Sequence, residues 1–365
     1  MKDITIGITI NIKESETIWN NGIIQNVINF ALLLKNSKNN YNVLIVNTSE
    51  INKLHYNLEG VDIYPMEDKY KDLDILFILG SQIYDHQYSY LKNNKCKIVY
   101  YNCGSNYIID MQNVLFKPDT TKTIYHHIPD EVWIIPQNYE TNKYYHETIY
   151  KTKSIEVPFV WSPTFIDYLS KSSNTDFKYV PSNNSKRISC FEPNIDVVKY
   201  SMYCILIVEQ LYDEKPELIN HFYITNSEKI KINPLFVNTM NMLNIVKDKK
   251  ATFESRFRTP YFLKNYTDIV ISHQWQNPLN YAYLDALYLN YPLVHNASMI
   301  KDAGYYYNGF NVKQGKEQLL KSIIEHDKYI DKYNEKNKSV LERYLPTNEK
   351  SIDIYDKLIS KLLKK

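Results

Sequence analysis

"SHQWQNPLNYAYLDALYLNYPLVHN" occupies Ser272–Asn296. An apolar run beginning at Asp268 ends at Ser272, and a polar, aromatic loop follows. Asn277-Pro278 reads as a helix start, because a proline near the first helical position gives up no backbone hydrogen bond. Asp285 falls about two turns further on, and Pro292-Leu293-Val294 opens a second apolar strand. Strand, helix and strand in this order make a parallel crossover, whose sheet must be covered on both faces.

The same alternation extends over the whole chain. Upstream, residues 4–10, 41–48, 74–80, 97–104 and 130–136 are short apolar runs of strand character. Between the first two, Ile24, Val27, Ile28, Ala31 and Leu32 recur at helical spacing. Gly80 and Gly104 follow strands, and Gly22 precedes the first helix. Glycines after parallel strands allow backbone to approach a ligand. Downstream of a Ser/Asn-rich stretch at residues 170–186, the alternation resumes with "RISCFEPN", "HFYITNS", "KATFESR" and "DIVISHQW". The expected plan is therefore an α/β protein of two doubly wound, Rossmann-like domains. They span residues 1–169 and 187–346, with 170–186 as linker. A last amphipathic helix within 347–365 (Ser351–Leu363) is a candidate to pack back on the first domain.

Composition removes several classes of function. Of the 365 residues, 43 are basic and 41 acidic, so no broad positive field draws the chain to nucleic acid. Cys96, Cys103, Cys190 and Cys204 form no CxxC pair, which favours buried free thiols in a reducing compartment. The amino terminus reads as a strand rather than a signal peptide, and the most apolar stretch, "MYCILIVEQLY", is too short to cross a bilayer. A soluble cytoplasmic protein is expected, with peripheral membrane association left open. P-loop, GxGxxG, HExxH and GxSxG patterns do not occur. Asp72-Leu73-Asp74 is a nominal DxD pair, but it precedes its strand. His126-His127 has no third ligand at useful spacing, so no metal site is expected.

"KATFESRFRTPYFLKNYTDIVISHQWQNPLNYAYLDALYLNYPLVHN" resembles the nucleotide-binding half of GT-B type glycosyltransferases, especially their family-4 or glycogen-synthase-like clan. Asp268–Ser272 matches the clan's strand, Asp285-Ala286 its second motif acid and small neighbour, and Pro292-Leu293-Val294 the strand that follows. The clan's E-x7-E motif is here N-x7-D, with Asn277 in place of the first acid. "WNNGIIQN" (Trp19–Asn26), "FEPNIDVVK" (Phe191–Lys199) and "YPLVHN" further resemble an uncharacterised bacterial family of glycosyltransferase-like proteins, over nearly the whole chain.

The resemblance implies two domains facing a cleft and a nucleotide-diphosphate sugar as donor, with no other cofactor. It implies that Asp285 binds the ribose and that Lys199 faces the diphosphate. A helix opening at Pro278 places the backbone N–H groups of Leu279, Asn280 and Tyr281 at its start, where a diphosphate is favoured. Glu192, Asn194, Gln274 and Asn277 complete the expected donor side, with Arg256 offering a planar fork to phosphate. Turn-forming duty accounts equally for Glu192 and Asn194. Trp19, Asn20, Gly22, Gln25, Asn102 and Gly104 are expected on the acceptor side, facing a glycan or lipid-linked sugar. Trp161 is expected to pack in the core. No catalytic residue is assigned. The activity implied is metal-independent sugar transfer; a catalytically silent binder of nucleotide sugar or glycan, or a nucleotide-sugar epimerase, are the alternatives.

Overall fold

The computed structural model describes residues 4–12, 22–49, 62–117, 126–182 and 184–364. The chain divides into two compact units, Met1–Ser162 with Arg343–Lys365, and Pro163–Glu342.

The first unit is built on seven strands: β1 (Thr5–Ile10), β2 (Asn42–Asn47), β3 (Ile63–Pro65), β4 (Ile75–Ile78), β5 (Lys97–Asn102), β6 (Glu131–Ile134) and β7 (Ser154–Glu156). They lie in the order β3-β2-β1-β4-β5-β6-β7, and every ladder is parallel. Ile6, Ile8 and Ile10 are fully buried, and so is Thr9 between them, because helices cover both faces. The helix Gly22–Lys35 buries Ile24, Val27, Ile28, Ala31 and Leu34. Close approach explains Gly80 after β4: a Cβ there would stand 2.8 Å from the Thr9 carbonyl oxygen.

The second unit holds β8 (Lys186–Cys190), β9 (Ile219–Ile224), β10 (Ala251–Phe253), β11 (Ile269–Ile271), β12 (Leu293–His295) and β13 (Tyr305–Tyr306). Their order is β10-β9-β8-β11-β12-β13, again wholly parallel. From β8 the chain winds outward through β9 to β10, then returns to lay β11, β12 and β13 on the other side. The order therefore reverses between β8 and β11, where loops of opposite direction part and open sheets of this kind take their ligands.

Residues 170–186 are not a free linker. They begin inside the helix Thr164–Ser173, and Phe177 and Tyr179 are buried in the second unit. The Tyr179 hydroxyl donates to Asp327 at 2.7 Å, and Lys186 pairs with the same carboxylate at 2.7 Å. Two aromatic anchors thus override the polar composition.

The last helix, Glu349–Leu363, is capped by Asn348, whose side chain accepts from Ser351 N–H at 3.0 Å. It belongs to the first unit, where Tyr355 packs among Phe30, Tyr101 and Trp133. The Tyr355 hydroxyl donates to the Pro158 carbonyl at 2.6 Å and lies 2.5 Å from that of Tyr101. Ser37 donates to Asp356 at 2.7 Å. Removing this ring should leave a cavity: Tyr355→Ala is expected to cost about 3–5 kcal/mol, read as a lowered urea midpoint. Tyr355→Phe should cost less, since only the hydroxyl's partners are stranded.

Candidate functional site

The carboxyl ends of β8 and β11 carry a connected set of buried polar side chains. Glu192 follows β8 and is 2% exposed. Ser272, directly after β11, donates from Oγ to Glu192 Oε1, and Gln274 donates from Nε2 to Glu192 Oε2 at 2.9 Å. Gln274 Oε1 in turn accepts from Asn277 Nδ2. The Tyr283 hydroxyl stands 2.7 Å from Ser272 Oγ. Asn296, after β12, grips the backbone of Gln274 from both sides: its Oδ1 accepts from Gln274 N–H at 3.1 Å, and its Nδ2 donates to the carbonyl at 2.8 Å. One carboxylate thereby ties the loop after β8 to the loop after β11, across the point where the strand order reverses.

Burial pushes the Glu192 carboxyl up to about 7, against hydrogen bonds from Ser272, Gln274 and the His273 backbone and the charge of Lys199. Lys199 is half-buried, and its ammonium has no hydrogen bond or ion pair among the described residues. The neighbouring His273 is pushed down to about 4 by burial. It lies stacked on Tyr203 at 4.5 Å, and its Nδ1 is 3.0 Å from the Tyr307 hydroxyl.

The helix of the opening stretch runs Tyr281–Tyr288, starting three residues later than Pro278 suggests. Asn280 is its cap, with Oδ1 accepting from Tyr283 N–H at 3.1 Å. That side-chain bond fixes the start, so Leu279 and Asn280 precede the helix and only Tyr281 supplies a first-turn N–H. Leu279 is buried at 1% exposure. Asp285 lies one turn in, on the buried side of the helix.

Asn194 adopts a left-handed backbone, φ 53°, and spends its side chain on the turn. Its Nδ2 donates to the Glu192 and Thr225 carbonyls, both at 3.2 Å, and its Oδ1 accepts from Ser201 N–H at 2.9 Å. The loop it shapes carries Lys199, whose N–H is held by Asp196 at 3.1 Å. Arg256 follows the edge strand β10. Its N–H donates to Glu228 at 2.8 Å, and its side chain is exposed. With strands about 4.8 Å apart, it starts roughly 10 Å from β8. The sheet thus brings Glu192, Lys199, Gln274 and Asn277 to one place, with Asp285 on the helix that follows and Arg256 at the margin.

In the first unit, Asn102 and Gly104 form the loop after β5. Asn142 pins both: its Nδ2 donates to Asn102 Oδ1 at 2.8 Å and to the Gly104 carbonyl at 2.6 Å. Gly22 is the exposed first residue of its helix, and Gln25 is buried one turn on. Trp19 and Asn20 lie outside the described residues. Trp161 is buried at 1% exposure. Asp74 stands at the amino end of β4, where it accepts from Thr5 N–H at 2.9 Å. Among the described residues no group of three or more His, Cys, Asp or Glu is placed to hold a metal ion. No helix among them is long and apolar enough to cross a membrane.

Nothing in the sequence marks Ser272 as a hydrogen-bond partner of the buried acid, or Tyr283 and Asn296 as its supports. Ser272 was legible as a strand end. Nothing distinguished Tyr283 among 34 tyrosines.

A family model described as "protein of unknown function (DUF2827)" matches residues 6–359. The chain belongs to that family. No curated protein matches it by sequence. Among solved structures, the family member is similar to starch synthase IV from Arabidopsis thaliana, whose catalytic domain is bound to ADP and acarbose. That likeness has a TM-score of 0.60 at 9% identity, covering 99% of each chain. A trehalose-phosphate synthase from Burkholderia xenovorans, in complex with glucose-6-phosphate, gives 0.56 at 8% identity over 99% of this chain and 100% of that one. HepE of Anabaena, in complex with UDP-glucose, gives 0.54 at 10% over 97% and 100%. These likenesses establish the fold as GT-B type, as the N-x7-D stretch implied.

The buried acid generates a pH signature. An unfolded glutamate loses its proton near 4.5, whereas Glu192 in the fold keeps its proton until about pH 7. Its contribution to stability is therefore greatest below 4.5 and falls as pH rises to 7, by roughly 3 kcal/mol. Buried histidines such as His273 work in the opposite direction, so the difference between wild type and Glu192→Gln isolates the acid. In urea unfolding, Glu192→Gln should gain stability relative to wild type between pH 4.5 and 7, then hold that gain.

Proposed function

We propose that this protein transfers a sugar from a nucleotide-diphosphate sugar to a glycan acceptor, without a metal ion. The observation carrying the reading is the position of the Glu192–Gln274–Asn277 chain and Lys199 at the strand-order reversal of the second sheet. In the proposed arrangement Lys199 meets the diphosphate and Asp285 the ribose hydroxyls. Arg256 closes the margin. The glutamine–asparagine pair presents amide groups to the donor sugar. Fixed positive charge beside the departing diphosphate stabilises the transition state more than the ground state, which is where a site of this composition gains its rate. The relatives of this fold supply analogy: HepE was captured with UDP-glucose and starch synthase IV with ADP.

One observation favours a second reading, a binding protein without turnover. Asn277 holds its amide against Gln274, so the place of the clan's first acid carries no charge. Such a protein would retain nucleotide affinity and show no transfer.

A melting-temperature screen against UDP, GDP, TDP, CMP, ADP and their common sugar conjugates tests both. A ligand at a hundred times its dissociation constant should stabilise by about 2.7 kcal/mol. Asp285→Ala, Lys199→Ala and Arg256→Ala should each weaken the nucleotide that binds, about tenfold for Lys199, with little change in the unliganded melting point. Unchanged affinity in all three sinks the site. Product formation with an acceptor glycan, unaffected by EDTA, separates transferase from binder.

A further inference from the structure

The segment that follows β9 turns large apolar side chains out into solvent. Its helix, Pro234–Met240, is capped by Asn233, whose side chain accepts from the N–H groups of Leu235 at 3.0 Å and Phe236 at 3.2 Å. Phe236 and Met240, one turn apart, are buried, and Phe236 meets Phe253 of β10 edge-on at 5.4 Å. That pair anchors the helix to the core. Leu235 and Met242 are nevertheless 76% and 75% exposed, and Ile232, just ahead of the cap, is 78% exposed. The turn continues past Met240, with Asn241 N–H donating to the Val237 carbonyl at 3.0 Å and Met242 N–H to that of Thr239 at 3.2 Å. Leu235 and Met242 are therefore about two turns apart and share one side of the helix. A single exposed apolar residue is ordinary, but three of this size close together mark a contact surface.

The charge of the segment is equally one-sided. Between Glu228 and Asp248 there is no Asp or Glu, while Lys229, Lys231 and Lys247 are all exposed. Lys247 Nζ donates to the Met242 carbonyl at 2.8 Å, which sets its ammonium beside the exposed methionine. The acids that border the segment are engaged by the protein. Glu228 accepts from Arg256 N–H at 2.8 Å, Asp248 from the Tyr212 hydroxyl at 2.9 Å, and Asp213 from Asn244 Nδ2 at 2.7 Å.

We propose that residues 229–247 dock this protein on an anionic lipid surface, with Ile232, Leu235 and Met242 entering the headgroup layer and the three lysines meeting lipid phosphates. Apolar side chains beside lysines, with no acid among them, suit such a surface through both buried area and attraction to anionic headgroups. A second copy of the chain is a poorer occupant. Two-fold pairing would set the lysines against their own copies with no acid to answer them. Three side chains also fall short of the roughly 800 Å² that a stable interface buries per partner. The Glu228–Arg256 bond ties the segment to the loop after β10, so docking brings the ligand-facing end of the second sheet to the lipid. The inference rests on exposure and charge, and stands apart from the sugar-transfer reading.

The test is co-sedimentation of the full chain with vesicles of phosphatidylcholine alone, and of phosphatidylcholine with an equal part of phosphatidylglycerol. Binding is expected on the anionic vesicles, weakening with added salt, and little on phosphatidylcholine alone. Leu235→Ser should lower partitioning about tenfold. Lys229→Gln and Lys231→Gln should each lower it about fivefold. All three positions are exposed, so each variant should melt with the wild type, and any one that folds decides the matter. Leu115→Ser, at a leucine 72% exposed in the first unit, is the control and should bind as wild type does. The proposal is overturned if anionic vesicles bind no protein, if the three variants bind undiminished, or if the control loses as much. Self-association abolished by Leu235→Ser, without vesicle binding, would give the surface to a second copy instead.

Discussion

A carboxyl group taken out of water must be surrounded by donors, and in this protein that requirement organises the ligand-facing end of the second sheet. Glu192 recruits Ser272 and Gln274 from the loop after β11; Gln274 recruits Asn277, and Asn296 locks Gln274 by its backbone. The bonds from Glu192 and Asn296 join loops that the sheet alone would leave independent. The loops after β8, β11 and β12 consequently form one rigid piece. The arrangement costs stability at neutral pH, where the acid begins to ionise without a salt-bridge partner. A hydrocarbon in its place would avoid that cost but would leave the two amides unoriented, and orientation is what a binding site needs.

The fold was legible because its evidence is redundant. Continuous apolar runs of four to six residues recur between helical patterns, which is the alternation that parallel sheets covered on both faces require. The strands β3 (Ile-Tyr-Pro), β7 (Ser-Ile-Glu) and β13 (Tyr-Tyr) left no such trace, since none is an aliphatic run, unlike the equally short β11. Residues 170–186 misled for the reverse reason. Their Ser and Asn content is real, yet Phe177 and Tyr179 anchor the segment, and two anchors outweigh many neutral positions.

At the site, residue type was readable and residue duty was not. Asp285 and Lys199 stood out by position in a known pattern. Asn194 and Asn280, polar residues in the same stretch, are consumed by a left-handed turn and a helix cap. Pro278 appeared to open the helix, but a cap with a side-chain acceptor fixes a helix start more strongly than a proline that merely tolerates one.

The position of Tyr355 has a consequence for how the chain comes into being. Its hydroxyl meets Tyr101 across a separation of 254 residues, and its ring completes a core otherwise made from the opening half of the sequence. The second unit, Pro163–Glu342, is continuous in the chain and holds all its strands between those bounds. During synthesis, domains ordinarily mature from the amino terminus onward. Here the order is reversed at the last step: the unit begun first is finished last, and must wait, with an aromatic seat unfilled, until the final helix leaves the ribosome.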